Sequence, residues 1–462
     1  MTQLNRHIQP NINLVDRISL DKPEVQTLDN DIPVYLINTS EQDLVKIEFI
    51  FTAGSWFEPK KLVASFTNRM LKEGTSSMSS AKIADLIDYY GAHLETNSDK
   101  DMGYVALYSL NKHLHKTLPV LAEVIRDPVF DQKELETLRQ NRRQNFLVNN
   151  EKVRYLARRK FNELIFGEGH PYGKVFNESD FDQISQDDLV SFHKNRYNAG
   201  NCKVIVSGKI PAGFVHLLND LFTGFNGQAP DHQGTIPRQT ELEDKKTHFV
   251  KKNAVQSAIR MGKVLFNKTH PDYVKLKVMN TILGGYFGSR LMSNIREDKG
   301  YTYGIGSAIV SLHHSGYFFI TSEVGSDVTQ EAVHEIYYEI DQLRQHKVSA
   351  QELDLVKNYM LGSFLRSVDG SFAQADNFKS LLEYGLDFTY FDNYIEVVKA
   401  ISREEILTLA QQYLDPESLS IAYCWKVGLN FSHEKIKTHN CAYHPFLVCN
   451  DNSNQSTGEC RG

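Results

Sequence analysis

Long apolar runs are missing from this sequence. Nothing in it approaches the ~18 consecutive apolar residues of a membrane-spanning helix, so no membrane span is expected. The opening segment, MTQLNRHIQPNINLVDR, lacks the apolar stretch of a secretory signal. A cytoplasmic location follows as the expectation, and the two arginines in that segment leave organellar import open. A basic excess is also missing. Lys and Arg number 51 against 57 Asp and Glu, a net charge of −6, which excludes the broad cationic surface of a non-specific nucleic-acid binder. Cysteine is scarce: five in 462 residues cannot form a disulfide framework. Cys202 and Cys424 lie inside apolar stretches and are expected to be buried free thiols. Cys441, Cys449 and Cys460 crowd into the last segment, where their spacing with His444 matches no standard zinc module.

What the chain does contain is enough apolar sequence for more than one core, since 462 residues exceed the usual ~100–200 per domain. Residues 33–51 hold two β-rich runs around a polar turn at Thr39-Ser40-Glu41, which predicts a strand pair. Leu62, Phe66 and Met70, with Val63 and Leu71 beside them, mark one face of a helix that Gly74 ends. Helices are predicted at 83–90 and 114–125, a strand at 103–110, and one long Arg-rich helical stretch from about 132 to 166. A helix at 189–197 and strands at 202–207 and 419–427 complete the outline, with Gly284-Gly-Tyr-Phe-Gly288 as a turn.

The second half repeats the first weakly. Asn68-Arg-Met-Leu before Gly74 parallels Asn280-Thr-Ile-Leu before Gly284, and Gln132-Lys-Glu-Leu parallels Ala350-Gln-Glu-Leu. Both pairs lie roughly 210–220 residues apart, a domain-sized spacing. The organisation expected is an N-terminal domain at 14–223, a Gly/Pro-rich linker at 224–245, a C-terminal domain at 246–428, and a tail of unknown role at 429–462.

The segment SRLMSNIREDKGYTYGIGS at 289–307, with AGSW at 53–56, KEGT at 72–75 and HPYG at 170–173, resembles the pitrilysin/insulinase metallopeptidase family, whose members include the mitochondrial processing peptidases. The resemblance covers nearly the whole chain to about Val427. It implies an α+β fold of two homologous domains, each a mostly antiparallel sheet with helices on one face, together forming half of a clam shell. It also implies that Arg296, paired with Tyr303 seven residues on, assists peptide hydrolysis by donating to the substrate carbonyl and its oxyanion.

The family's zinc motif, His-x-x-Glu-His, places two ligands on one helix face and a general base between them. At the matching positions this sequence has Ser65, Asn68 and Arg69, and the segment that would bring a third, acidic ligand, Asn141–Asn145, has no acid. Ser and Asn are poor zinc ligands, Asn cannot accept a proton from water, and Arg has no lone pair to offer. No metal ligand and no cofactor are therefore expected in this chain, and zinc is expected in a partner. Arg69 is expected to stand in for the missing cation, paired with an acid or with carbonyls inside the cleft. The function expected is a non-catalytic subunit that supplies Arg296 and Tyr303 to a zinc-bearing homologue, as a heterodimer or a homodimer, acting on peptide substrates. The alternatives are a peptide-binding or scaffold protein, and an active zinc metalloendopeptidase with unrecognised ligands. His113 and His115, two apart with no acid partner, are read as surface residues.

Overall fold

The computed structural model describes residues 22–229, 245–251 and 254–426, with Ile18 and Leu20. Most of the expected linker, the expected bounds at 14 and 428, and the tail with its three cysteines lie outside the described residues.

The first half runs β1 (Glu24–Thr27), β2 (Pro33–Asn38), β3 (Leu44–Phe51), α1 (Val63–Met70), α2 (Ser80–Tyr89), β4 (His93–Ser98), β5 (Gly103–Leu110) and α3 (Leu114–Arg126). It continues through α4 (Gln132–Asn150), α5 (Val153–Phe166), α6 (Gln186–Arg196), β6 (Cys202–Gly208) and α7 (Phe214–Phe222). The second half runs β7 (Lys246–Lys251), β8 (Gln256–Leu265), α8 (Tyr273–Asn280), β9 (Thr302–Leu312), β10 (Ser315–Gly325), α9 (Thr329–Gln345) and α10 (Ala350–Ser367). It ends with α11 (Ser371–Leu382), α12 (Thr389–Ala400), α13 (Arg403–Tyr413) and β11 (Ser420–Lys426). No helix among the described residues is long and apolar enough to cross a membrane.

The two sheets share one plan. Their strand orders are β1-β2-β6-β3-β5-β4 and β7-β11-β8-β10-β9. In each, the last strand of the half inserts beside an early strand as the only parallel pair among the described residues, β2 with β6 and β7 with β11, and the other pairings described are antiparallel. The fold is thus α+β with two similarly built halves. The strand pair expected across residues 39–41 does not form, because β6 lies between β2 and β3. The reason is burial: β6 reads CKVIVSG and is covered on both faces, which only a central position provides.

The long helix expected over 132–166 is two helices. The Glu151 amide turns back to the Asn149 and Val148 carbonyls, and Lys152 takes an extended conformation. The break follows Asn149-Asn150, poor helix formers, and Lys251 fixes it by donating to the Asn150 carbonyl and the Glu151 carboxylate. It turns α5 onto the other half's sheet. Ala157, Phe161 and Ile165, four residues apart on one face, pack with Phe166 against Ala258, Ala422 and Cys424 on β8 and β11. The small strand residues let the helix come close. Both Cys202 and Cys424 are buried free thiols.

The reciprocal contact is ionic. Strand β3 points Val45, Ile47 and Phe49 into its own core and, by alternation, Lys46 and Glu48 to the opposite face. There α11 of the second half answers. Lys46 Nζ lies 2.6 Å from Asp376 and 3.1 Å from Glu48, and Lys379 Nζ lies 2.7 Å from Glu48. A second clasp holds the β9–β10 turn. Buried Asp101 accepts from the Tyr172 hydroxyl at 2.5 Å and from the His313 amide at 3.0 Å, and the His314 amide donates to Tyr172 at 3.1 Å. Trp56 sets its ring, tilted by 31°, 4.3 Å from that of His314. The HPYG loop therefore joins the two halves through Tyr172.

Removing the Asp101 carboxylate strands two donors in a buried place, which costs about 1–3 kcal/mol. Asp101→Ala should lower the urea midpoint accordingly, and Tyr172→Phe, which leaves one donor, the His314 amide, without its acceptor, should lower it less. Equal midpoints for wild type and Asp101→Ala would show that the clasp does not hold the halves.

Candidate functional site

Helix α1 carries the positions at issue. Leu62, in the left-handed region at φ 75°, swings the chain into it, and the Glu58 carboxylate caps it by accepting from the Ala64 amide at 3.2 Å. Gly74, at φ 130°, lets the chain turn away after the helix. Between them Val63, Phe66 and Met70 are buried, so the amphipathic face read from the sequence is the core face.

Ser65 is half-buried, and its hydroxyl donates to the Leu62 carbonyl at 3.0 Å. Asn68 is fully buried. Its Nδ2 donates to the Tyr104 carbonyl and to the Tyr197 hydroxyl, each at 3.1 Å, and its Oδ1 has no hydrogen-bond partner among the described residues. Those bonds commit the amide's donor to the core, and the remaining amide oxygen is too weak a base to take a proton from water. Arg69 is exposed. The acid expected to pair with it is absent: no ion pair or hydrogen bond to Arg69 occurs among the described residues. Its neighbour is another cation, Arg142, half-buried on α4, whose pKa is lowered by burial and then by the Arg69 charge. The expected replacement of a cation by a neutralised guanidinium is therefore corrected. On α4 the flanking arginines do find acids, Arg143 at Asp182 and Arg139 at Glu136, while Asn141, Gln144 and Asn145 are exposed. A hydroxyl already donating, an amide aimed by its donor, and two guanidiniums are a donor set that does not fit a divalent cation. Among the described residues no three His, Cys, Asp or Glu could share a metal ion.

Arg296 and Tyr303 lie in the second half, on adjacent elements. Residues Met292–Asp298 form a π-type turn that packs against β9, as does the similar turn Thr281–Gly285. Arg296 sits with its guanidinium 4.7 Å from the ring centre of exposed Phe287. Tyr303 is on β9, an edge strand, and is 93% exposed. A β-bulge explains that exposure. Thr302 pairs with Val324 and Ile305 with Ser322, so Tyr303 and Gly304 together face Glu323 alone. The Thr302 hydroxyl stitches the bulge, donating to the Glu323 carbonyl at 2.6 Å. The sequence reading missed both the bulge and Phe287; Gly304 beside Tyr303 was the available signal. No hydrogen bond, ion pair or ring contact among the described residues joins Arg296 or Tyr303 to Ser65, Asn68 or Arg69. The structure gathers two constellations, one per half, and does not merge them.

Comparison with known proteins agrees with this architecture. The family model for "Insulinase (Peptidase family M16)" matches residues 33–168, and that for "Peptidase M16 inactive domain" matches residues 183–360. The chain is similar to the zinc protease YmxG of Bacillus subtilis, 24% identical over 84% of this chain and 94% of the relative. It is also similar to the "non-peptidase homolog YmxG" of Helicobacter pylori, 23% identical over 83% and 90%. Among solved structures, the peptidase M16 inactive domain from Pseudomonas fluorescens superposes with a TM-score of 0.81 at 22% identity, covering 89% of this chain and all of that one.

The cap of α1 makes a pH prediction. Burial pushes the Glu58 carboxyl up to about 7, against the opposing pull of the Ala64 and Leu62 amides and of Lys100 and Lys174. A folded pKa above the unfolded one means that the native state binds the extra proton, so stability falls as pH rises across roughly 4.5 to 7. Glu58→Gln keeps an acceptor and removes the charge. Relative to wild type it should gain roughly 1–3 kcal/mol over that window, read from urea midpoints against pH. Parallel profiles for the two proteins would refute the assignment.

Proposed function

The chain belongs to the insulinase (M16) peptidase family, and from that membership we propose that it is a non-catalytic subunit that lends Arg296 and Tyr303 to a zinc-bearing homologue. The observation that carries the reading is the state of the two donors. The Tyr303 hydroxyl makes no hydrogen bond among the described residues and stands almost wholly in solvent, and Arg296 rests on an exposed ring rather than on an acid. Donors not engaged within the chain are free to serve a group outside it.

The chemistry asked of them is simple. A guanidinium fork and a phenol O–H hold the scissile carbonyl, and they bind more tightly to the oxyanion it becomes. The partner brings the metal and its activated water. This chain's own α1 positions, Ser65, Asn68 and Arg69, favour the kind of relative named a non-peptidase homologue over the kind named a zinc protease.

Two measurements test this. After gel filtration, elemental analysis should find no stoichiometric zinc in the purified chain; one zinc per chain, lost on substitution at 65–69 or 141–145, would overturn the reading. Mixed with a co-expressed homologue that carries His-x-x-Glu-His, the chain should raise peptide cleavage. Tyr303→Phe and Arg296→Ala should each depress that activity by ~10²–10³ with assembly intact, and their effects should be less than additive because both serve one transition state. Mutants that cleave like wild type would leave a scaffold role, and a partner fully active alone would end the assisting role.

A further inference from the structure

Strands β3 and β6 set Ile50 and Lys203 opposite each other in register, so both side chains leave the first sheet on one face, the face against which α11 packs. Where α11 ends, that face opens a cavity of about 360 Å³ shared by the two halves. Ile50, Met102 and Leu382, all buried, form an apolar wall, and His313 of the β9–β10 turn also lines the space. Two charges line it as well, the Lys203 ammonium from the first half and the Glu383 carboxylate from the second. No ion pair among the described residues reaches either of them. Lys203 Nζ donates to the Leu382 carbonyl at 3.3 Å, which uses one of its three donors. Glu383 accepts from the Tyr104 hydroxyl at 2.7 Å, but Asp99 lies 2.9 Å from the same hydroxyl. The other cations that act on Glu383 are engaged elsewhere, Lys379 with Glu48 and Asp376, and Lys268 with the Ser380 carbonyl. Burial lowers the pKa of Lys203 and raises that of Glu383, as it does for charges short of partners.

An ammonium and a carboxylate that line one cavity without pairing are the complement of a zwitterion. The volume lies at the lower end of the ~300–1,000 Å³ typical of ligand pockets, which suits a molecule of amino-acid size rather than a length of polypeptide. We propose that this cavity binds a free α-amino acid with an apolar side chain, its carboxylate on Lys203, its ammonium on Glu383 and its side chain against Ile50, Met102 and Leu382. The ligand's ammonium supplies the positive charge that one phenol proton, placed between two carboxylates, cannot. Its carboxylate takes the donors that Lys203 has left, in charge-assisted hydrogen bonds. The inference uses neither Arg296 and Tyr303 nor any metal, and so stands apart from the function proposed above.

The test uses the full chain, with L-leucine as the probe. Leucine should raise the melting temperature, because a ligand that binds only the folded chain stabilises it, and calorimetric titration should give its affinity. N-acetyl-leucine lacks the ammonium and leucinamide lacks the carboxylate. Each should bind about tenfold more weakly or worse, and so should glycine, which has no side chain to bury. Glu383→Gln keeps an acceptor for Tyr104 and removes the charge; it should weaken leucine by a similar factor, as should Lys203→Met. Should Lys203→Met fail to fold, Glu383→Gln and the ligand series still decide. Absence of leucine binding would overturn the proposal. So would equal affinity for leucine and any of the three analogues, or leucine affinity unchanged by Glu383→Gln. Tighter binding of dileucine than of leucine would assign the cavity to the two ends of a peptide and overturn the free amino acid.

Discussion

Neither sheet can cover its own second face, and the rest of the molecule follows from that constraint. Strand β3 buries Lys46 and Glu48 on the side away from its own helices, and a pair of charges out of water needs fixed counter-charges at close range. Those come from Asp376 and Lys379 on α11 of the other half. Burial works against the Lys46 charge, yet its pKa is raised, because Glu48 and Asp376 outweigh the loss of water. In return α5 of the first half lies over β8 and β11, filling a groove left by Ala258 and Ala422. Each half thus completes the other.

That exchange sets what the two constellations can do. The α5 contact, the α11 ion pairs and the Asp101–Tyr172 clasp are three separate attachments between the halves. A hinge closing Arg296 and Tyr303 onto α1 would have to break charged, buried contacts at several points together. The function proposed above therefore calls on a group that arrives from outside the chain. Tyr104 adds to the seam: its hydroxyl lies 2.9 Å from Asp99 and 2.7 Å from Glu383 of the second half. One phenol proton cannot satisfy two carboxylates, and burial keeps a proton on Glu383 to a higher pH than usual.

The first half also shows how a family framework survives a change of chemistry. The helix, its Glu58 cap and its exit at Gly74 depend on apolar spacing and backbone geometry, not on what Ser65, Asn68 and Arg69 do. Asn68 has become part of the core, tied to β5 through the Tyr104 carbonyl. Arg69, one position on, faces water beside a second guanidinium. Adjacent residues on one helix thus took opposite fates, because one points between packed layers and the other toward α4.

By itself the sequence determined what depends on local periodicity and on residue chemistry. The core faces of α1, α2 and α3, strand β5 and the two-half plan were all legible, because 3.6- and 2-residue spacing are properties of short segments. Tertiary structure alone decided what depends on contacts between distant segments. β6 displaced the hairpin expected between β2 and β3, since a doubly buried strand takes the centre of a sheet. The break after Asn150 became visible only with Lys251 and the second sheet in place, for an Arg-rich stretch with helical spacing carries no mark of what will lie beneath it. The partner of Arg69 was misjudged for the same reason. Charge complementarity predicts an acid beside a guanidinium in a cleft, but only packing leaves Arg69 exposed, with its charge opposing that of Arg142 across the α1–α4 contact.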